Sequence, residues 1–166
     1  MTTRNIADIR NDLTAARNNA LAASACYAAL APTRTISSIT GSMTLTGNGG
    51  LNVINVGSIT LVKKVLTLKG GPNDIFIINV AGNFSMGSSQ VVLAGGVTVG
   101  HVLWNFPGTG TSVKVYKDIT SVSGTFLAPF RDYVQDVATL YGSVVSGGNV
   151  SIHSGAKVTC PGGCTP

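Results

Sequence analysis

The sequence is poor in charge and contains no glutamate. Charged residues make up 10% of the 166-residue chain, and all six acidic residues are aspartates. In a typical globular domain about a quarter of the residues are charged. The surface must therefore consist largely of serine, threonine, asparagine and glycine, which is common in secreted repeat proteins and unusual in cytosolic enzymes.

Basic clusters and long apolar runs are also missing. The net charge of +5 comes from scattered lysines and arginines, and aromatic residues make up only 6% of the chain. Nucleic-acid binding needs a clustered basic face, often with stacking aromatics between the charges. No run approaches the roughly 20 apolar residues of a membrane span. We therefore expect no nucleic-acid partner and no membrane span in this chain.

Cysteine is scarce, and its count is odd. Cys26, Cys160 and Cys164 leave one thiol over or imply pairing between chains. The last two are too far apart for a CxxC redox motif, and a zinc site needs more ligands. We expect all three to be structural, with a clip that pins the C-terminal tail and with Cys26 as a candidate partner.

Two regions differ in their periodicity. Residues 3–30 place apolar side chains at the spacing of an amphipathic helix, with Thr3 as its N-cap and Pro32 enforcing an end near Ala31. From Ile36 onward the period is two. We predict a packing helix in residues 1–31, a β domain in 32–159, and a Cys/Pro/Gly tail in 160–166.

The β region contains eleven short runs bounded by glycine, asparagine or proline, a pattern that allows a sandwich, a barrel or a solenoid. Three observations favour the solenoid. Hairpin signals are few. Segments such as SVSGTFLAP and LYGSVVSGGNVSI read as one repeated coil. A helix followed only by strands can lie along one open side of such a stack.

Two motifs carry a resemblance to known families. Residues 102–107 read VLWNFP, and residues 124–129 read GTFLAP. These stretches, followed by GSVVSGGNVS from Gly142, resemble the choice-of-anchor A (collagen-binding-like) surface domain. The layout from about residue 25 to 155 is also similar to the ice-binding-like β-solenoid family.

This resemblance implies a mostly β fold, namely a discontinuous three-sided β-solenoid (β-helix) with an N-terminal α-helix packed alongside. The chain departs from the surface family after GTFLAP, where it has Phe130-Arg131-Asp132-Tyr133. We therefore expect residues 130–137 to form an altered or extended loop.

Catalytic patterns are weak. Asp118, Asp132 and Asp136 lie in polar segments, and Asp74 lies in a turn. His101 and His153 have no second histidine at metal-ligand spacing. No nucleophile elbow or phosphate-binding loop occurs. We expect no enzyme activity, no metal and no cofactor.

The sequence leaves three functions open. The first, which the sequence favours over the other two, is a non-catalytic extracellular surface module for adhesion or matrix structure. It would bind an extracellular polymer, matrix or cell-surface ligand, as a fragment or mature domain of a secreted precursor. The second is self-assembly into a filament or layer through the solenoid ends, which would make the chain a homo-oligomer. The third is ice binding by a flat threonine face. The candidates for such a face are Thr44, Thr46, Thr60, Thr67, Thr98, Thr109 and Thr111.

Two residues of the first motif are predicted to be structural. A lone tryptophan in an apolar strand, Trp104, is expected to pack in the core. The neighbouring Asn105 is expected to join an inward ladder of stacked asparagines, with Asn52, Asn55, Asn79 and Asn83 in similar roles.

Overall fold

The computed structural model describes residues 6–159, which form one helix and fourteen strands. The elements in chain order are α1 (Ile6–Ala29), β1 (Arg34–Ile39), β2 (Met43–Thr46), β3 (Leu51–Val62), β4 (Val65–Lys69), β5 (Ile75–Val80), β6 (Phe84–Gly87), β7 (Gln90–Ala94), a short 3-10 helix (Val99–His101), β8 (Val102–Asn105), β9 (Val113–Tyr116), β10 (Ser121–Ala128), β11 (Tyr133–Asp136), β12 (Thr139–Ser146), β13 (Val150–Ile152) and β14 (Lys157–Thr159). The predicted mostly β fold with one N-terminal helix is confirmed.

All the strand pairs are parallel, and they fall into three runs. The first run contains β1, the first half of β3, β5, β8 and the second halves of β10 and β12. The second run contains the second half of β3, then β6, β9, β11 and β13. The third run contains β2, β4, β7, the first halves of β10 and β12, and β14.

Each passage of the chain through the three runs is one coil, and the described residues form six coils. Coil 1 contains β1 and β2, coil 2 contains β3 and β4, and coil 3 contains β5, β6 and β7. Coil 4 begins at β8, coil 5 begins in the middle of β10, and coil 6 begins in the middle of β12. Each coil pairs with the coils before and after it in the chain. The discontinuity implied by the resemblance is therefore wrong for the described residues.

Stacking in chain order depends on corners where the chain turns without a loop. In β10 and β12 the turn from the third run into the first occurs at Gly124 and Gly142, which are register partners with φ of +117° and +143°. A Cβ on Gly142 would collide with the carbonyl oxygen of Gly124. Only glycine suits both the backbone conformation and this close approach.

The core is one hydrophobic cluster to which all three runs contribute, and it includes a group of aromatic side chains. Phe84, Trp104, Phe106, Phe126 and Tyr133 are buried in contact with one another, with ring centroids 5.4–6.1 Å apart. Strand alternation places these side chains inward and their chain neighbours outward. The two motif segments stack directly, because Trp104 and Phe126 are register partners.

The segment expected to be a loop is instead part of coil 5. Residues 133–136 form β11, which pairs with β9 and β13. Tyr133 and Gln135 point inward and are fully buried, and the Tyr133 hydroxyl donates a hydrogen bond to Gln135 Oε1. The prediction of a loop over 130–137 is therefore wrong for this strand. One of its two inward residues is a glutamine, so the sequence lacks the alternating apolar residues that predict a strand.

The helix runs along the first run, but only its second half packs. It contacts β5, β8 and β10 and ends at Ala29, close to the predicted end; the expected N-cap at Thr3 lies outside the described residues. Ile6, Ile9 and Leu13 belong to the predicted packing face, yet they are 71%, 48% and 65% exposed. The expected packing of the whole apolar face is therefore wrong for these three residues.

The corner between the second and third runs holds residues in the left-handed region. Lys63, Ser88, Lys117, Ile119 and Val137 have positive φ there, and Ile119 is 72% exposed with φ of +61°. A β-branched residue in this conformation costs about 1–2 kcal/mol.

Ile119→Asn is expected to raise the free energy of unfolding by about 1 kcal/mol, because asparagine tolerates the left-handed region and little packing is lost. Thermal and denaturant unfolding would measure the change. The control is Ile75→Asn, at an exposed isoleucine that is not among the positive-φ residues, which should not stabilise the fold. Equal or lower stability for Ile119→Asn would contradict the assignment of strain.

Candidate adhesive surface

The helix covers part of the outer side of the first run, where it contacts β5, β8 and β10. Asn55, Asn79 and Asn105 are register partners in coils 2, 3 and 4. Their amides form a ladder, in which Asn105 Nδ2 donates to Asn79 Oδ1 at 2.8 Å and Asn79 Nδ2 donates to Asn55 Oδ1 at 3.0 Å. The ladder faces the helix, so the prediction that it points inward is wrong. The reason is alternation, since the inward neighbours are Trp104 and Phe106.

The ladder also holds the end of the helix. The Ser24 hydroxyl donates to Asn105 Oδ1 at 2.6 Å, and Asn105 Nδ2 donates to the Ser24 carbonyl at 3.0 Å. One coil away, Asn79 Nδ2 donates to the Tyr27 carbonyl at 3.1 Å. Tyr27 lies in the final turn of the helix, whose carbonyl groups have no partner inside the helix, so the Asn79 donor satisfies the Tyr27 carbonyl.

A groove of about 620 Å³ lies beside the helix on the same run. Its lining includes Cys26, His101 and the exposed apolar side chains of Leu51 and Ile75.

Cys26 is an exposed free cysteine, whereas Cys160 and Cys164 lie outside the described residues, so the predicted clip stays a prediction. His101 Nδ1 is buried and has no hydrogen-bond partner among residues 6–159.

The threonine candidates do not form one face. Thr44, Thr46 and Thr67 lie on the third run, where Thr44 and Thr67 are register partners. Thr60 lies on the second run, in coil 2. Thr98 precedes the short 3-10 helix, and Thr109 and Thr111 lie between β8 and β9. The sequence alone does not show on which run each threonine lies, because the strands of all three runs have the same alternation of inward and outward residues.

Among the described residues, the outer rows of the third run contain no acidic residue. One row across the coils contains Thr44, Thr67 and Val92. A second contains Val65, Gln90, Ser121, Thr139 and Lys157, and a third contains Thr46, Lys69 and Ala94. Neighbouring members of a row are about 4.8 Å apart, since that is the spacing of paired strands. The result is a regular surface of hydroxyl, methyl and amide groups with few charges.

The second run differs in its charges. Its outer rows include Thr60, Ser85 and Lys114 in one line, and Tyr116 beside Asp136 in another. Asp136 lies 3.9 Å from His153 Nδ1, and both side chains are about half exposed. This surface mixes both signs of charge, so it lacks the uniform chemistry of the third run.

The aspartates that could act in catalysis are separated or hold the backbone. Asp132 accepts a hydrogen bond from the Asn149 backbone at 2.8 Å. Asp74 accepts from Asn52 Nδ2 and from the backbone N–H groups of Gly49 and Gly71. The hydrogen bond from Asn52, followed by those from the backbone, lowers the pKa of Asp74. No group of three or more metal-ligating side chains occurs between residues 6 and 159.

Arg131 is a buried structural residue rather than part of a catalytic loop. It is 2% exposed, and its guanidinium lies 5.6 Å from the centre of the Phe106 ring. It donates to the carbonyls of Gly108, Gly82 and Ala81, which belong to coils 3 and 4. Burial lowers the pKa of Arg131. No sequence signal distinguishes this arginine from an exposed one.

Trp104 is fully buried, and its Nε1 donates to the Ser123 carbonyl at 2.9 Å. The ring packs between Phe84 and Phe126. In this position it has no surface to offer a ligand.

Comparison with known proteins assigns this architecture to a class. The model of a family of ice-binding-like adhesive domains matches residues 2–160, and the chain belongs to that family. The sequence-based resemblance to ice-binding-like proteins is thereby confirmed.

Among solved structures, the chain is similar to an ice-binding protein from the Antarctic ascomycete Antarctomyces psychrotrophicus. The TM-score is 0.64 and the sequence identity is 18%, over 90% of this chain and 72% of that one. At this identity the likeness concerns the fold. No curated protein matches the chain.

No helix in the described residues is long and apolar enough to cross a membrane.

Proposed function

We propose that the chain is a non-catalytic extracellular adhesive module, and that its three runs are the sides of a three-sided β-solenoid. The third run is proposed as the adhesive side, and its partner as an uncharged, hydroxyl-rich polymer or surface outside the cell. One observation carries the proposal: the outer rows of the third run repeat hydroxyl, methyl and amide groups across successive coils without an acidic residue.

The other two sides are less suited to this role. The helix occupies the Asn55, Asn79 and Asn105 column of the first run. The second run carries Lys114 and Asp136, so a neutral partner would have to desolvate both signs of charge there. A flat side with little charge instead allows many weak polar and apolar contacts at a regular spacing, which favours an extended partner over a small ligand.

The role outside the cell and the absence of catalysis rest on two further supports. The family is one of adhesive domains. The stacked VLWNFP and GTFLAP segments resemble those of choice-of-anchor A surface domains, and kinship with those domains is part of the proposal. Asp74 and Asp132 accept hydrogen bonds from backbone N–H groups, which gives these two carboxylates a structural role.

The test is retention of the protein on insoluble cellulose and chitin after substitution of one side at a time. Thr67→Tyr places a bulky ring in the middle of the third run and is expected to weaken retention about tenfold, or about 1.4 kcal/mol. Thr60→Tyr is the matched control, because it makes the same change in the same coil on the second run. Retention should change little between low and high salt, since few charges take part.

Loss of retention in Thr60→Tyr alone would move the adhesive side to the second run. If Thr67→Tyr is retained on the polymers as well as Thr60→Tyr is, the proposed surface is overturned. Chemical change of the polymer by the native protein would overturn the non-catalytic assignment.

Ice is the second candidate partner, supported by the adjacent Thr44 and Thr67 hydroxyls and by the structural neighbour described as an ice-binding protein. Thermal hysteresis that Thr67→Tyr abolishes and Thr60→Tyr spares would favour ice over a polymer. Lys69 stands beside Thr46 in the neighbouring row and interrupts a strictly threonine surface.

A further inference from the structure

The two ends of the coil stack differ in what they expose. At the coil 1 end, the inward side chains Ile39 and Leu45 are 1% and 0% exposed. At the coil 6 end, Val150, Ile152 and Val158 are 49%, 44% and 51% exposed. Their register partners in coil 5 are Tyr133, Gln135 and Leu140, all fully buried, so these positions face the column interior. Coil 6 therefore presents an open cross-section of the core.

Strand edges are exposed at the same end. In the described residues β13 pairs only with β11, and β14 pairs only with β12. Their other edges carry backbone N–H and C=O groups that another strand could pair with.

The helix extends beyond this end. Tyr27 contacts coil 3, and Ser24 contacts coil 4. Three helical residues rise about 4.5 Å, which is close to the distance of about 4.8 Å between neighbouring coils. The helix thus runs toward coil 6 as the residue number falls, and Leu13 borders a groove with Val145 of coil 6. The segment from Leu13 to Ile6 spans about 10 Å more. This overhang has the height of about two further coils, and its apolar side chains are exposed.

We propose that the coil 6 end binds the coil 6 end of a second copy of this chain, forming a two-fold dimer. If two copies join end to end, an apolar end contacts another apolar end only when both are coil 6 ends. Coil 1 has no exposed large apolar side chain among the described residues. A contact of one patch with itself closes after two copies. The overhanging helices then lie beside each other across the dimer, which covers Ile6, Ile9 and Leu13. The dimer contact leaves the outer side of the third run exposed, so the dimer proposal does not depend on the proposed adhesive function.

The test is the mass of the protein over a range of concentrations, measured by sedimentation and light scattering in reductant so that no disulfide joins the copies. The expected mass rises from one chain of 16.9 kDa to two chains and then stays constant. Val150→Lys should raise the dissociation constant at least a hundredfold, because it would bury an unpaired charge. Val62→Lys is the matched control, at 47% exposure on the second run, and should leave the constant unchanged.

A second variant separates docking from folding. Ile9→Lys lies on the overhanging helix, outside the coil 6 core, and should weaken the dimer while the emission of Trp104 stays native. A mass of one chain at all concentrations up to about millimolar would overturn the proposal. A series of masses beyond two copies would also overturn it, because it requires unlike ends to meet. An unchanged constant in both Val150→Lys and Ile9→Lys would place the contact elsewhere and overturn it as well.

Discussion

Arg131→Met is expected to lower the free energy of unfolding by about 3–5 kcal/mol, one of the two largest effects that the structure predicts. The guanidinium donates to carbonyls of coils 3 and 4 from its place in coil 5, and the Arg131 carbonyl accepts from Ser146 Oγ of coil 6 at 2.7 Å. Methionine fills a similar volume but donates nothing. Three partly buried carbonyls would lose this donor at once, and each such loss costs up to about 1–3 kcal/mol.

Trp104 provides the measurement, because it is the only tryptophan in the sequence and is fully buried among the core aromatics. Its emission during denaturant unfolding would report the stability of the coils directly. Lys114→Met is the matched control, since Lys114 is an exposed cation in β9 and its loss should cost less than about 0.5 kcal/mol. A cost below 1 kcal/mol for Arg131→Met would contradict the role of Arg131 as a clip between coils.

Asn105→Ala is expected to cost about 3 kcal/mol and to release the helix from the first run. The change removes three hydrogen bonds of a fully buried side chain, two with Ser24 and one with Asn79. It leaves the Ser24 hydroxyl and Asn79 Oδ1 without that partner, at a cost of about 1–3 kcal/mol for each group. The strands keep their pairing, so the loss should be local to the helix.

Hydrogen exchange would distinguish loss of the helix contact from unfolding of the strands in this variant. Amides of residues 14–29 should exchange much faster, while amides in β5 and β8 stay protected. Asn83→Ala is the control, because Asn83 is exposed and accepts one hydrogen bond from Thr111 Oγ1. Uniform loss of protection in helix and strands would contradict a local role for Asn105.

The candidate surface could be predicted only in part from the sequence. Scarce charge and abundant threonine indicate a polar, nearly neutral exterior, and the third run has that character. The sequence could not state which threonines share a side. Thr60 and Thr67 are seven residues apart in one coil, yet they lie on different runs, because the corner at Lys63 turns the chain between them.

Arg131 shows the same limit for the core. In the sequence it stands next to Asp132 in a polar segment, which favours an exposed loop. In the structure it is 2% exposed, since carbonyls at the corners of two earlier coils converge on one point. Those carbonyls come from residues 23 to 51 positions away, and no local pattern records that they meet.

The sequence by itself determined the helix, the change to period two, the many short strands and the core packing of Trp104, because these depend on local alternation, turn residues and burial of apolar side chains. Only the tertiary structure decided the order of the coils, the direction of the asparagine ladder, the burial of Arg131 and the open apolar end at coil 6. The physical reason is that these features depend on which coil lies next to which, and the local alternation of apolar and polar residues does not specify contacts between residues about 20 or more positions apart.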